Sequence, residues 1–130
     1  MVAGQSGAGK STQIPQFLLY DELPNLNASQ IVCSQPRCIA AKSLSKRVSD
    51  ELDVNLGEEV GYRTLLEEFA GPNTVLKYVT DRALLHEAMR DSLLRNYSCI
   101  ILDEVNERTW PTDILMGWIK SVSVSLEVLG

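Results

Sequence analysis

The sequence predicts an α/β fold in which a mainly parallel sheet lies between layers of helices. Three observations point there. Gly4-Gln5-Ser6-Gly7-Ala8-Gly9-Lys10-Ser11, with Thr12 behind it, fits the phosphate-loop pattern G-x-x-x-x-G-K-[ST]. Short apolar runs alternate with stretches of helical periodicity, the order that builds parallel strands joined by right-handed crossovers. The most apolar of these runs, Cys99-Ile100-Ile101-Leu102, leads straight into Asp103-Glu104.

Composition sets the outer bounds. A chain of 130 residues is one domain at most and large enough for a core, and 45% hydrophobic residues exclude a disordered tail. No apolar run reaches the length of a membrane-spanning helix, and no basic-then-apolar segment marks a secretory signal. Cys33, Cys38 and Cys99 include no C-x-x-C pair, which suits reduced thiols in the cytosol or nucleus. A formal charge of −5 excludes a protein that coats nucleic acid by charge alone, while leaving room for a local basic surface.

Each element has its own justification. Val2-Ala3 reads as the stub of a strand feeding the phosphate loop. The loop glycines let consecutive N–H groups aim at one point, and a helix beginning near Gly9 adds the positive end of its dipole. That helix runs through Thr12 to Tyr20, with Pro15 close enough to the first turn to be tolerated. Asp21 to Gln30 is polar, with Pro24, Asn25 and Asn27, and reads as a loop. Ile31-Val32-Cys33 suits a buried parallel strand. Ala41, Leu44, Val48 and Leu52 form one buried helical stripe, with Lys42, Lys46 and Arg47 on the polar side. Between Ser34 and Ser49 every charge is positive.

Asp53 to Gly61 reads as an acidic loop leading to a short element at Val60–Tyr62. Arg63 to Phe69 fits a helical turn as well as a strand. Gly71-Pro72-Asn73 is a turn, followed by a strand from Thr74 to Val79. Thr80 or Asp81 caps the next helix, whose apolar positions are Leu84, Leu85, Ala88, Met89 and Leu93. His86, the only histidine, falls on its outer face. Pro111-Thr112-Asp113 opens a last helix through about Lys120. Val122, Val124, Leu126 and Val128 alternate with polar residues, as if approaching a further strand that the chain lacks room to use.

The chemistry follows from the loop and the acidic pair. Lys10 can reach β- and γ-phosphates, and the Ser11 hydroxyl can ligate Mg²⁺. Asp103, at the end of a buried strand, would hold the same metal, and Glu104 would orient the attacking water and accept its proton.

At this point the chain resembles a family, the DEAH-box RNA helicases. GQSGAGKSTQIPQF from Gly4 is similar to their motif I and the helix after it, and SQPRCIAA from Ser34 to motif Ia. TDRALLHEAM from Thr80 is similar to motif Ib, and ILDEVNERTWPTDILMG from Ile101 to motif II. GEEVGY from Gly57 also suits the family. The resemblance is closest to the branch that remodels spliceosomes and pre-ribosomes. It implies a P-loop NTPase, RecA-like three-layer sandwich, truncated, with residues 1–130 forming part of the first helicase ATP-binding lobe. It implies ATP and Mg²⁺ as cofactors, with Gly4 to Thr12 and Arg47 against the nucleotide, Arg47 at the adenine base. Arg37, Thr80 and Asp81 would touch RNA. Nuclear location, or otherwise cytoplasmic, and spliceosomal or pre-ribosomal partners follow from the same resemblance, with no role at a membrane.

The sequence also departs from the family pattern. Asn106 replaces the name-giving histidine and cannot titrate. Cys38 stands in place of an arginine, Arg82 in place of a glycine, and Leu65-Leu66 in place of an Arg-Phe pair. The chain stops at Gly130, before the expected Ser-Ala-Thr motif and the second RecA-like lobe with its arginine fingers. Two readings follow: a helicase fragment that hydrolyses ATP as part of a two-lobed enzyme, or a truncated, degenerate product that binds nucleotide or other proteins without catalysis. A small nucleotide kinase would explain the phosphate loop but not SQPR or DEVNERT.

Overall fold

The structure, a computed structural model, describes residues 8–22, 30–91, 94, 96–103, 110–119 and 125–128. In chain order the elements are helix α1 (Ala8–Glu22), strand β1 (Gln30–Gln35), helix α2 (Cys38–Leu52), strands β2 (Val60–Arg63), β3 (Glu68–Phe69) and β4 (Leu76–Thr80), helix α3 (Asp81–Arg90), strand β5 (Tyr97–Leu102), helix α4 (Trp110–Ile119) and strand β6 (Ser125–Val128).

Among the described residues the strands form one six-stranded sheet in the order β3-β2-β4-β1-β5-β6. Every pairing is parallel except that of β3 with β2. Strand β1 is central, with Cys33 opposite Tyr78 of β4 on one side and Ile101 of β5 on the other.

Strands β1, β4 and β5 are buried along nearly their whole length because both faces of the sheet are covered there. Alternate residues enter two cores. Ile31, Cys33, Leu76, Tyr78, Cys99 and Ile101 pack with Leu19 of α1 and with Ala41 and Val48 of α2. Val32, Val79, Ile100 and Leu102 pack on the opposite face with Leu84 and Ala88 of α3 and Leu115 of α4. The result is the expected α/β sandwich, with helices on both sides of a mostly parallel sheet.

Several expectations change in detail. The tail is not merely an approach to a strand: residues 125–128 pair in parallel with β5, Leu126 opposite Ile100 and Val128 opposite Leu102. The ambiguous stretch from Arg63 resolves into a turn and a short antiparallel return, with Phe69 opposite Tyr62. Met89, expected on the apolar side of α3, is 71% exposed, since Leu84 and Ala88 already fill the contact with the sheet. Helix α1 begins at Ala8, so Pro15 falls in its second turn rather than near its first. The strand stub Val2-Ala3 lies outside the described residues.

Thr80 is the N-cap of α3, its hydroxyl accepting from the Ala83 N–H at 3.2 Å. This leaves Asp81 as the first helical residue, where a carboxylate favours the dipole.

Candidate functional site

Strands β1, β4 and β5 end together, at Gln35, Thr80 and Leu102. In an open parallel sheet this carboxyl edge is where ligands bind. Asp103 follows β5 directly, and its N–H donates to the Ser34 carbonyl at 3.1 Å, which holds it against the end of β1. The first turn of α1 meets the same edge. Its Ser11 hydroxyl donates to Asp103 Oδ2 across 92 residues of sequence. The first turn of α1 carries no acidic residue, and half-buried Lys10 is part of it. That end of α1 therefore combines a helix N-terminus with a cation, the combination that favours an anion.

The pair is built into the interior. Ser11 and Asp103 are 5% and 4% exposed. Gln35, fully buried, donates from Nε2 to Asp103 Oδ2 at 2.8 Å and to Cys33 Sγ at 3.3 Å. Asp103 Oδ2 thus accepts from two side chains that α1 and β1 supply. Burial pushes the Cys33 thiol well above its ordinary range, and the Asp103 charge adds to the effect. Cys33 is therefore a neutral packing group.

Tyr78 reaches the site from β4. Its hydroxyl donates to the Ser11 carbonyl at 2.8 Å, and its ring is fully buried. Burial, first, and neighbouring negative charges hold this phenol well above its ordinary range, so it remains a donor.

A hydroxyl and a carboxylate are hard oxygen donors, the type that Mg²⁺ takes alongside phosphate oxygens and water. Ser11 and Asp103 are donors of this type, and their oxygens are within hydrogen-bond reach of each other. Among the described residues no cluster of three or more His, Cys, Asp or Glu side chains suits a metal.

The remaining expected residues are distributed as follows. Lys10, Ser11 and Thr12 lie in the first turns of α1, with Thr12 buried. Ala8 and Gly9 begin the helix, whereas Gly4, Gln5, Ser6, Gly7, Glu104 and Asn106 lie outside the described residues. Arg37 is exposed at the N-cap of α2. Thr80 and Asp81 are buried: Thr80 caps α3, and Asp81 Oδ1 accepts from the Ser34 hydroxyl. Arg47 lies on the exposed side of α2, paired with Glu51 at 3.4 Å. Glu51 in turn accepts from Gln16 of α1 at 2.6 Å.

The positive run is compensated locally. Lys42 pairs with Glu67 and Lys46 with Asp50, as Arg47 does with Glu51. These are exposed pairs that contribute little to stability, but they leave less uncompensated charge on α2 than the sequence run suggests.

Sequence alone does not single out Gln35 and Tyr78. Each is a polar group in a buried strand, which must find a partner, and the sequence held that much of a signal. It did not hold the partner's identity. No protein-family model matches the chain.

Proposed function

We propose that the chain is a nucleotide-binding lobe of the phosphate-loop class. It would bind ATP with Mg²⁺ and, joined to a second RecA-like lobe, hydrolyse it to remodel RNA as DEAH-box helicases do. The observation that carries the reading is the buried Ser11–Asp103 pair at the carboxyl edge of the sheet, beside Lys10 and the N-terminus of α1. A loop that bound nothing would have no need to bury a hydroxyl and a carboxylate together there.

In this reading the α1 N-terminus and Lys10 bind the phosphates, and Ser11 and Asp103 present their oxygens to the metal. When bound, Mg²⁺ neutralises charge on the phosphate oxygens. Gln35 keeps Asp103 from swinging away. Glu104 is assigned the water-orienting role from its place in the sequence. A cation from the far side of the γ-phosphate is expected from the second lobe, and in arginine-finger systems it contributes roughly 10³–10⁵ in rate. Binding tests the site without depending on that cation. Titrating a fluorescent ADP analogue with Mg²⁺ is expected to show binding that Lys10→Ala weakens at least about tenfold, the loss of one charge-assisted contact. Equal affinities for the two proteins would overturn the proposal.

A second reading, nucleotide binding without work on RNA, draws on the compensated charges of α2 and the burial of Thr80 and Asp81. It is favoured if single-stranded RNA fails to bind at low salt under conditions where Mg-nucleotide binds.

A further inference from the structure

An α-helical carbonyl accepts from the N–H four residues later. For Ser11 that residue is Pro15, which has no N–H. The Ser11 carbonyl is therefore deprived of its helical partner in a turn where Ser11, Thr12 and Pro15 are all buried. A buried carbonyl without a donor is costly. Tyr78, from the middle of the sheet, donates its hydroxyl to this carbonyl at 2.8 Å.

We infer that Tyr78 is a positioning residue for Ser11: its hydroxyl replaces the donor that Pro15 withholds, and so fixes the turn of α1 that presents the Ser11 hydroxyl to Asp103. The inference rests on the reading of Ser11 and Asp103 as metal-holding groups. The geometry makes the linkage stiff. The Tyr78 ring is packed in the core that α1 and α2 share with the sheet, and Tyr78 pairs in register with Cys33 and Tyr62. The anchor is therefore the sheet itself rather than a surface side chain. An ordinary helical N–H would tie Ser11 only to its own helix. The tyrosine ties it to β4, whose neighbour β1 also carries the Gln35 that holds Asp103. Both halves of the pair are thus referred to the same two strands.

The test is a four-protein cycle on the full chain: wild type, Tyr78→Phe, Pro15→Ala and the double variant. Tyr78→Phe removes only the hydroxyl, and Pro15→Ala restores a backbone donor to the Ser11 carbonyl. Fluorescent ADP is titrated with Mg²⁺ and again in EDTA. Tyr78→Phe is expected to reduce the Mg²⁺-dependent gain in affinity roughly tenfold, about the effect of one buried hydrogen bond, with binding in EDTA unchanged. In the Pro15→Ala background the same substitution is expected to change it less than about twofold, because the backbone donor now takes over. An unchanged Mg²⁺ response in Tyr78→Phe, or an equal loss in both backgrounds, would overturn the inference. Urea denaturation of the same four proteins gives a readout that needs no nucleotide. Absence of coupling there would also overturn it. Coupling in stability combined with no Mg-nucleotide binding by wild type would leave the hydrogen bond standing and overturn both the metal role and the reading beneath it. Failure of the reading alone is identified by Lys10→Ala binding as wild type does.

Discussion

At the scale of single residues, the site depends on buried polar groups whose partners are fixed. Asp103 Oδ2 accepts from Ser11 and Gln35, and Gln35 has its second N–H on Cys33 Sγ. Gln35 is 1% exposed, so water cannot readily replace it. Gln35→Leu keeps most of the volume and removes one donor to a carboxylate. The expected cost is about 2 kcal/mol, the range for hydrogen bonds to charged groups, read as a lower urea midpoint with unchanged slope. A change within about 0.3 kcal/mol would mean that the Gln35 contact adds nothing net to Asp103. The same substitution is expected to weaken Mg²⁺-dependent nucleotide binding, because Asp103 then has one restraint fewer.

At the scale of elements, close approach of backbones decides more than propensity does. Strand β2 lies beside β4, and the return through β3 and Ala70 passes directly over Gly61. A Cβ on Gly61 would sit 2.5 Å from the Phe69 carbonyl oxygen and 2.7 Å from the Ala70 Cβ. Neither neighbour is the free end of a flexible side chain. Gly61→Ala is therefore expected to cost about 1–3 kcal/mol by overpacking, with loss of the β2–β3 pairing seen as faster amide exchange at Tyr62 and Thr64, whose N–H groups face β3. Retention of that protection would place the clash elsewhere.

The same scale shows what the sequence could convey. Strands β1, β4 and β5 were legible because burial on both faces leaves apolar runs bounded by turn and cap residues. Helices α2 and α3 were legible from their stripes, and Thr80 from its place before α3. Strand β3 was not, since its two residues are exposed and carry no pattern. Strand β6 shows in the sequence only as an approach, because its polar residues alternate and its backbone pairing with β5 needs no apolar run. The pairing of Ser11 with Asp103 was implied by the order of the two motifs. The roles of Gln35 and Tyr78 were hidden because their partners lie 68 and 67 residues away. In the sequence Pro15 reads as a tolerated residue, whereas its missing N–H leaves the Ser11 carbonyl to Tyr78.

At the scale of the whole molecule, each core contains protonated groups that titrate only at high pH. On the α1–α2 face, burial is the first cause raising Cys33 and Tyr78. On the α3–α4 face, the Tyr97 hydroxyl donates to Glu87 Oε1 at 2.6 Å, where Arg63 and Lys77 also converge at 3.2 and 3.6 Å. Burial, then the charge of Glu87, raises the Tyr97 phenol far above its ordinary value of 10.0. In the unfolded chain these groups return to about 9.0 for the thiol and 10.0 for the phenols. Above those values the unfolded state has lost protons that the native state still holds, so stability falls as pH rises. Below them both states are protonated and the contribution is constant. Stability is therefore expected to be insensitive to these three groups from pH 7 to about 8.5. Above pH 9 it should decline by about 1.4 kcal/mol per pH unit from Cys33 alone. Above pH 10, when Tyr78 and Tyr97 join it, the slope should approach about 4 kcal/mol per unit. Lys42, raised by Glu67, acts in the same direction but is solvent-exposed and adds little. Urea midpoints measured from pH 7 to 11 check the slope, and Cys33→Ala is expected to delay its onset by about one pH unit. Stability that stays level through pH 10.5 in the wild type would contradict the burial of these groups. An unaltered onset in Cys33→Ala would assign the decline to the tyrosines alone.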